Sequence, residues 1–264
     1  MISVFERALR YSRSTVPFAV IGMAWYFASR LQLISPIFLP SPADVIVAFV
    51  RTWSDGTLWS DIGVSAYRVL SGFGISLVIA MPLGLLMGVS DKCRQYVEPF
   101  NDLVRYVPVP AMVPLLILWL GLGNGTQIAV IVFGTLPQLL VLISDAATQM
   151  PKVYRELCAM LQLNSRQMVW HALLPYAAPQ MFDAGRVSIG WAWSYLLVAE
   201  IVGANRGLGQ HIIVAQRFLQ TDQVIVGILV VALLGLSTDI LLRSLYPALF
   251  PWSERSQKHG RYAK

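Results

Sequence analysis

The chain has 264 residues, of which 56% are hydrophobic and only 13% charged, and its mean hydropathy is +0.61. Soluble domains carry about 25% charged residues, so the deficit excludes a large water-bathed domain and points to a lipid-embedded protein. The net charge of +6 does not point to nucleic acid, because the basic residues sit in short clusters between apolar runs and no aromatic-basic motif lies on a soluble segment.

At roughly 20 residues per crossing, this length accommodates about six spanning helices with their loops. Residues 1–14 hold Arg7, Arg10 and Arg13 ahead of the run "STVPFAVIGMAWYFAS", which predicts a first span over about 15–33. A cleaved signal peptide is the rival reading, but no small-x-small site follows and Arg30 ends the run. "SPADVIVAFVRTW", Ser41 to Trp53, reads as a short capped helix with Ser41 as N-cap, Pro42 at the first helical position and Asp44 in the first turn. Too short and too charged to span, it is expected along the outer interface. The second span is predicted over about 69–90, with Pro82, Gly84 and Gly88 as kink and close-packing positions.

From Tyr106 to Ser144 no charge occurs over about 39 residues, too long for one crossing. The turn "GLGNG" divides this run into spans at about 100–120 and 127–146. A polar insert at 150–175 follows, then spans at about 177–202 and 223–246 joined by the outer loop "GANRGLGQHIIVAQRFLQTD". The tail, 251–264, holds Arg255, Lys258, Arg261 and Lys264. The fold class is therefore an all-α membrane protein, a transmembrane domain over 15–250 with both termini cytoplasmic. That orientation puts most of the 20 Lys and Arg inside. Cys93 and Cys158 then fall on the reducing side, so no disulfide is expected and Cys158 reads as a packing residue.

The insert sets the central question, because Glu156, Asn164, Arg166 and His171 interrupt a chain otherwise suited to lipid. It reads as two short helices. Pro151 can open the first, which stacks Val153, Leu157 and Leu161 on one face. Asn164 or Ser165 can cap the second, which runs to about Ala172 before Leu174-Pro175 ends the loop. Such a pair can pack against the protein's own helices or dock into a partner, and composition leaves both open.

Charges within the spans are costly in hydrocarbon. Asp239 and Arg243, four apart, are expected to pair, and Asp183 with Arg186 to form a local salt bridge or helix-end hydrogen bonds. Glu200 reads either as a gating or packing residue near the outer mouth or as a purely structural one. His171, His211 and His259 are spread across both sides, so no serine–histidine or metal cluster assembles in the bilayer, which argues against an intramembrane protease. No Gly-x4-Gly-Lys-Ser/Thr loop is present, so energy from ATP would have to come from a partner.

Aligned on Leu174-Pro175, the insert resembles the loop of permease subunits of bacterial ABC importers: Glu-Ala-Ala, three residues, Gly, nine residues, Ile, one residue, Leu-Pro. Glu156 holds the first place, while Leu157, Cys158, Gln162 and Ala172 depart at the two alanines, the glycine and the isoleucine. "RYVPVPAMVPLLILWLGLG" and "LPYAAPQMFDAGRVSIGWAWSYLLVAEIVGANRGLG" resemble the aliphatic-sulfonate, taurine, nitrate and bicarbonate group of that family, as do "FLQTD" and "LQLISPIFLPSP". The likeness covers about residues 31–250, with Ala184 two places before Arg186 where the group has Gly.

The resemblance implies a MetI-like type I permease fold of about six spans, in the bacterial inner membrane. It implies a second permease copy (a homodimer), two ABC ATPase subunits and a periplasmic or lipid-anchored binding protein. Cofactors are expected to be none in this chain, with ATP and Mg bound by the partner ATPases. The ATPase-coupling residues would be Arg155, Glu156, Met160, Leu161, Gln162, Leu163, Asn164, Ser165 and Arg166. An importer must release its cargo, so a weakly polar pathway is expected from Val107, Pro108, Pro110, Gly190, Trp191, Trp193, Ser194 and Glu200. Trp191 and Trp193, two apart, face different directions, so at least one should pack or anchor in lipid. The cargo implied is a small anion, with which Arg206 and Arg217 of the outer loop are compatible. The alternative is a stand-alone ion-coupled transporter, which would need a central ion or proton site.

Overall fold

In lipid the backbone has no partner but itself, so long apolar runs without turn signals close their hydrogen bonds locally as helices. The computed structural model describes residues 16–17, 19–201 and 203–253, and these are helical with no strand among them. The basic clusters at Arg7 to Arg13 and Arg255 to Lys264 lie outside the described residues. In chain order come α1 (residues 19–30), α2 (Pro42–Ser54), α3 (Thr57–Val89), α4 (Asp91–Arg105), α5 (Val109–Leu120) and α6 (Asn124–Thr148). Then follow α7 (Lys152–Met160), α8 (Ser165–Met168), a π-helical turn (Val169–Leu173), α9 (Leu174–Ile201), α10 (Leu208–Arg217) and α11 (Thr221–Leu249).

Among the described residues α3, α6 and α11, with 33, 25 and 29 residues, are long and apolar enough to cross a membrane. At 1.5 Å per residue they reach about 50, 38 and 44 Å, against a hydrocarbon core of about 30 Å. α9 has 28 residues but carries Asp183, Arg186 and Glu200. α3 begins at Thr57, well before the expected start at 69, and Pro82 lies inside it without ending it.

Over the expected span at about 100–120 the chain forms a bent pair of helices. α4 and α5 meet at 98°, and α5 has only 12 residues, about 18 Å. The cause is local: a residue before proline is biased out of the α region, and Pro108 itself is extended with ψ at 119°.

The helices fall into two compact units. One takes the described part of Met1–Ser60 with His211–Val230, the other Asp61–Gln210 with the described part of Val231–Lys264. In the first, Ser41 caps α2 as expected, and the bonds are reciprocal: it accepts from Asp44 N–H at 3.2 Å while the Asp44 carboxylate accepts from Ser41 N–H at 3.0 Å. Trp25 Nε1 donates to Pro40 O at 2.9 Å, and the Thr221 hydroxyl donates to Ile37 O. In the second unit α6 packs along α9 around Val130, Ile131, Trp193 and Leu196, and further along around Leu139, Ile143, Ala177 and Met181. α3 approaches α6 closely: a Cβ at Gly84 would lie 2.5 Å from Ile143 Cγ2, and one at Gly88 2.5 Å from Ala147 Cβ. The close-packing role expected of these glycines holds.

Candidate functional site

The polar insert folds as a helix, a tight turn and a helix standing on an apolar foot. α7 turns a single residue inward, Cys158, which packs with Ala147, Met150 and Leu173. Its other faces carry Val153, Tyr154, Leu157 and Met160, with Leu161 next, all exposed; Met160 is 79% exposed. Large apolar side chains held outward on a polar segment mark an interaction surface. Arg155 Nη2 donates to Thr148 O at 3.1 Å, tying α7 to the end of α6, and Tyr176 OH of α9 donates to Gln149 O, also at the end of α6, at 3.1 Å.

The turn is closed by two bonds, Leu163 N–H to Cys158 O at 3.1 Å and Gln162 N–H to Ala159 O at 3.0 Å. This is the six-to-one, five-to-two pattern that ends a helix through a left-handed residue. Gln162 is that residue, at φ +52°. It stands where the resembled motif has glycine, and it adopts the conformation glycine would supply. Leu163 folds back on the cluster around Cys158. Asn164 then caps α8, accepting from Gln167 N–H at 2.8 Å while Gln167 Oε1 accepts from Asn164 N–H at 3.0 Å.

Of the expected coupling residues, Arg155, Glu156, Met160, Leu161, Gln162, Asn164, Ser165 and Arg166 are brought together on this exposed surface, while Leu163 is half-buried. α9 opens at Leu174-Pro175, where the loop was expected to end and the next span to start, but the second short helix does not stop near Ala172. The π-turn carries the chain straight into α9. Pro175 has no N–H to donate and its ring crowds the preceding turn, which the wider π geometry accommodates.

The residues expected along a pathway fall in three places. Val107, Pro108 and Pro110 sit at or beside the 98° break, the two prolines exposed. Gly190 and Ser194 share an exposed stripe of α9, where Ser194 Oγ donates to Gly190 O at 3.3 Å. Trp193 packs in the core and Trp191 is half-buried, so one of the pair is a packing residue as expected. Glu200 is 0% exposed and faces no open path within this chain. Its carboxylate accepts from Arg68 Nη1 at 2.6 Å, Ser65 Oγ at 2.9 Å and Gly209 N–H at 2.7 Å.

A second charge pairing, half-buried, differs from the expectation. Asp239 is bound by Arg186 Nη1 of α9 at 3.2 Å, and Arg186 Nε also lies 3.4 Å from Asp183. The local Asp183–Arg186 pair is present, but Asp239 bonds across helices, with no pair to Arg243. Arg68 and Ser65 escaped sequence reasoning. They lie more than 130 positions from Glu200; their spacing of three, which places both on one helix face, was the available signal.

A family model described as "binding-protein-dependent transport system inner membrane component" matches residues 80–251. The chain belongs to that family. It is 32% identical to the taurine transport system permease protein TauC of Escherichia coli K12 over 239 residues, covering 89% of this chain and 87% of the relative. It is 31% identical to the putative aliphatic sulfonates transport permease protein SsuC of the same organism, over 93% of each chain. SsuC of Bacillus subtilis 168 is 30% identical, over 89% of this chain and 85% of the relative. A chain of the methionine ABC transporter MetNI, solved in an inward-facing conformation, superposes with a TM-score of 0.61 at 20% identity, covering 72% of this chain and 96% of that one. At that identity the match speaks to the fold: an all-helical permease fold of the MetI kind. This family member is a multi-pass transport subunit of the bacterial plasma membrane.

Proposed function

We propose that the chain is the membrane-spanning subunit of an ATP-driven importer, and that α7, the Gln162 turn and α8 are the handle by which a separate ATPase moves it. The observation that carries this reading is the exposed apolar row Val153, Tyr154, Leu157, Met160 and Leu161, held rigid by a closed turn and a buried foot. A rigid helix transmits a displacement, whereas a loose loop absorbs it. Two copies would form the translocation path, with the insert and both termini facing the cytoplasm. Two ATPase subunits would hold ATP and Mg beneath them. A soluble or lipid-anchored binding protein would deliver cargo from outside.

The cargo is a small anion of the sulfonate or taurine class, or of the related nitrate and bicarbonate class. Support comes from the names of the most similar relatives, TauC and SsuC. The weakly polar stripe of Gly190 and Ser194, with Pro108 and Pro110, is a surface suited to passing an anion without retaining it.

The test is purification and reconstitution. The chain should copurify with an ATPase carrying a phosphate loop, and radiolabelled taurine or alkanesulfonate uptake should require that ATPase, ATP and a binding protein. Uptake by the isolated chain driven by an ion gradient would contradict the proposal.

A further inference from the structure

Three successive backbone N–H groups at the start of α10 point at acceptor oxygens of neighbouring helices. Gly207 N–H donates to Asp61 Oδ1 at 3.0 Å, Leu208 N–H to Ser65 Oγ at 2.9 Å and Gly209 N–H to Glu200 Oε2 at 2.7 Å. A helix N-terminus carries partial positive charge and unsatisfied donors, which makes it a ready anion site. Here the anion is the protein's own Glu200. Arg68 completes the shell: its Nη1 reaches Glu200 at 2.6 Å and Arg206 O at 2.8 Å, and its Nε donates to Asn124 Oδ1 at 2.9 Å. Arg68 and Ser65 are 4% and 0% exposed.

The packing leaves no slack. A Cβ at Gly209 would lie 2.8 Å from Glu200 Cβ, and one at Gly207, at φ +128°, would strike the carboxylate oxygens themselves. Four parts of the chain meet in this one shell: α3 through Asp61, Ser65 and Arg68, the start of α6 through Asn124, the end of α9 through Glu200, and the turn into α10.

We infer that Glu200 and Arg68 form a positioning latch, in which the carboxylate is the resident anion of a backbone anion hole and locks these four parts into one body that must move together during transport. The transport clause rests on the reading proposed above; the latch itself does not. The arrangement is directional. Every group around Glu200 is a donor, so a carboxylate is required on α9 and no cation can replace it. An ordinary ion pair would tolerate exchange of its two members, and this one does not.

The experiment compares the wild-type complex in lipid nanodiscs with Glu200→Gln, Ser65→Ala and the reversed double variant Arg68→Glu/Glu200→Arg. Hydrogen exchange is read at Gly207 to Gly209, and uptake per assembled complex is read alongside. Glu200→Gln places an amide N–H against a shell of donors, so exchange there should rise roughly tenfold or more, as for one unmade buried bond. Uptake should fall with it. The reversed pair should restore neither quantity. Ser65→Ala, a milder change should the others fail to fold, should raise exchange at Leu208 by several-fold while exchange within α6 stays unchanged. Wild-type exchange in Glu200→Gln or Ser65→Ala overturns the latch, and so does recovery by the reversed pair. Raised exchange with undiminished uptake overturns its role in transport. Because exchange needs no substrate, it reports on the latch even where the transport reading fails.

Discussion

At Gln162 a residue with a β-carbon occupies a left-handed turn, at φ +52°. For an L-residue that conformation costs about 1–2 kcal/mol, part of which glycine would recover. Gln162→Gly should therefore raise the thermal midpoint of the purified complex slightly and keep uptake, whereas Gln162→Val, β-branched, should lower both. Asp44 gives a pH signature in α2. Hydrogen bonds from the Ser41 side chain and backbone hold its carboxyl below the usual aspartate range. A lowered folded pKa contributes above the unfolded value and is lost as pH falls through the folded one. Amide exchange in the first turn of α2, taken relative to the intrinsic rate at each pH, should therefore rise as acid protonates Asp44, and Asp44→Ala should show that raised ratio at every pH. At this scale the capping residues were legible, because Ser41 and Asn164 act on backbone within three positions. The partners of Glu200 and Asp239 were not, because each is chosen by which helices come to lie side by side.

Among the elements, α7 depends on its foot more than on its length. Nine residues cannot sustain a helix alone, and Leu173 at 1% exposure is the largest apolar side chain beneath it. Leu173→Ala should destabilise by about 2–5 kcal/mol in chemical unfolding of the complex, as for other buried large-to-small changes. Met160→Ser should leave unfolding unchanged and weaken ATPase association, because Met160 stands clear of the protein. The starts of α7 and α8 were readable from Pro151 and Asn164, but the end of α8 at Met168 was not, since the helix was expected to run to about Ala172. The 98° break between α4 and α5 was not readable. Tyr106 to Leu120 is a charge-free run whose apolarity suits one straight span as well as a bent pair, and Pro108 decides the matter by its backbone alone. The π-turn was hidden for a related reason: it reconciles burying Leu173 with the missing N–H of Pro175, a compromise visible only once both ends are packed.

At the scale of the described molecule, α3, α6 and α9 pack as a lipid-suited bundle from which the polar insert stands exposed, in a chain of a transport-system inner membrane family. The handle's chemistry makes Glu156→Arg and Met160→Asp informative: uptake should be lost in both while membrane insertion stays normal, measured by uptake and by yield in the membrane fraction. The most direct measurement is site-specific photocross-linking from position 160 in sealed inside-out vesicles carrying the assembled transporter. The account predicts an adduct between this chain and a phosphate-loop ATPase, in a yield that changes on adding ATP. An adduct confined to outer-side proteins, or no adduct while a probe at Glu156 labels only from outside, would contradict it.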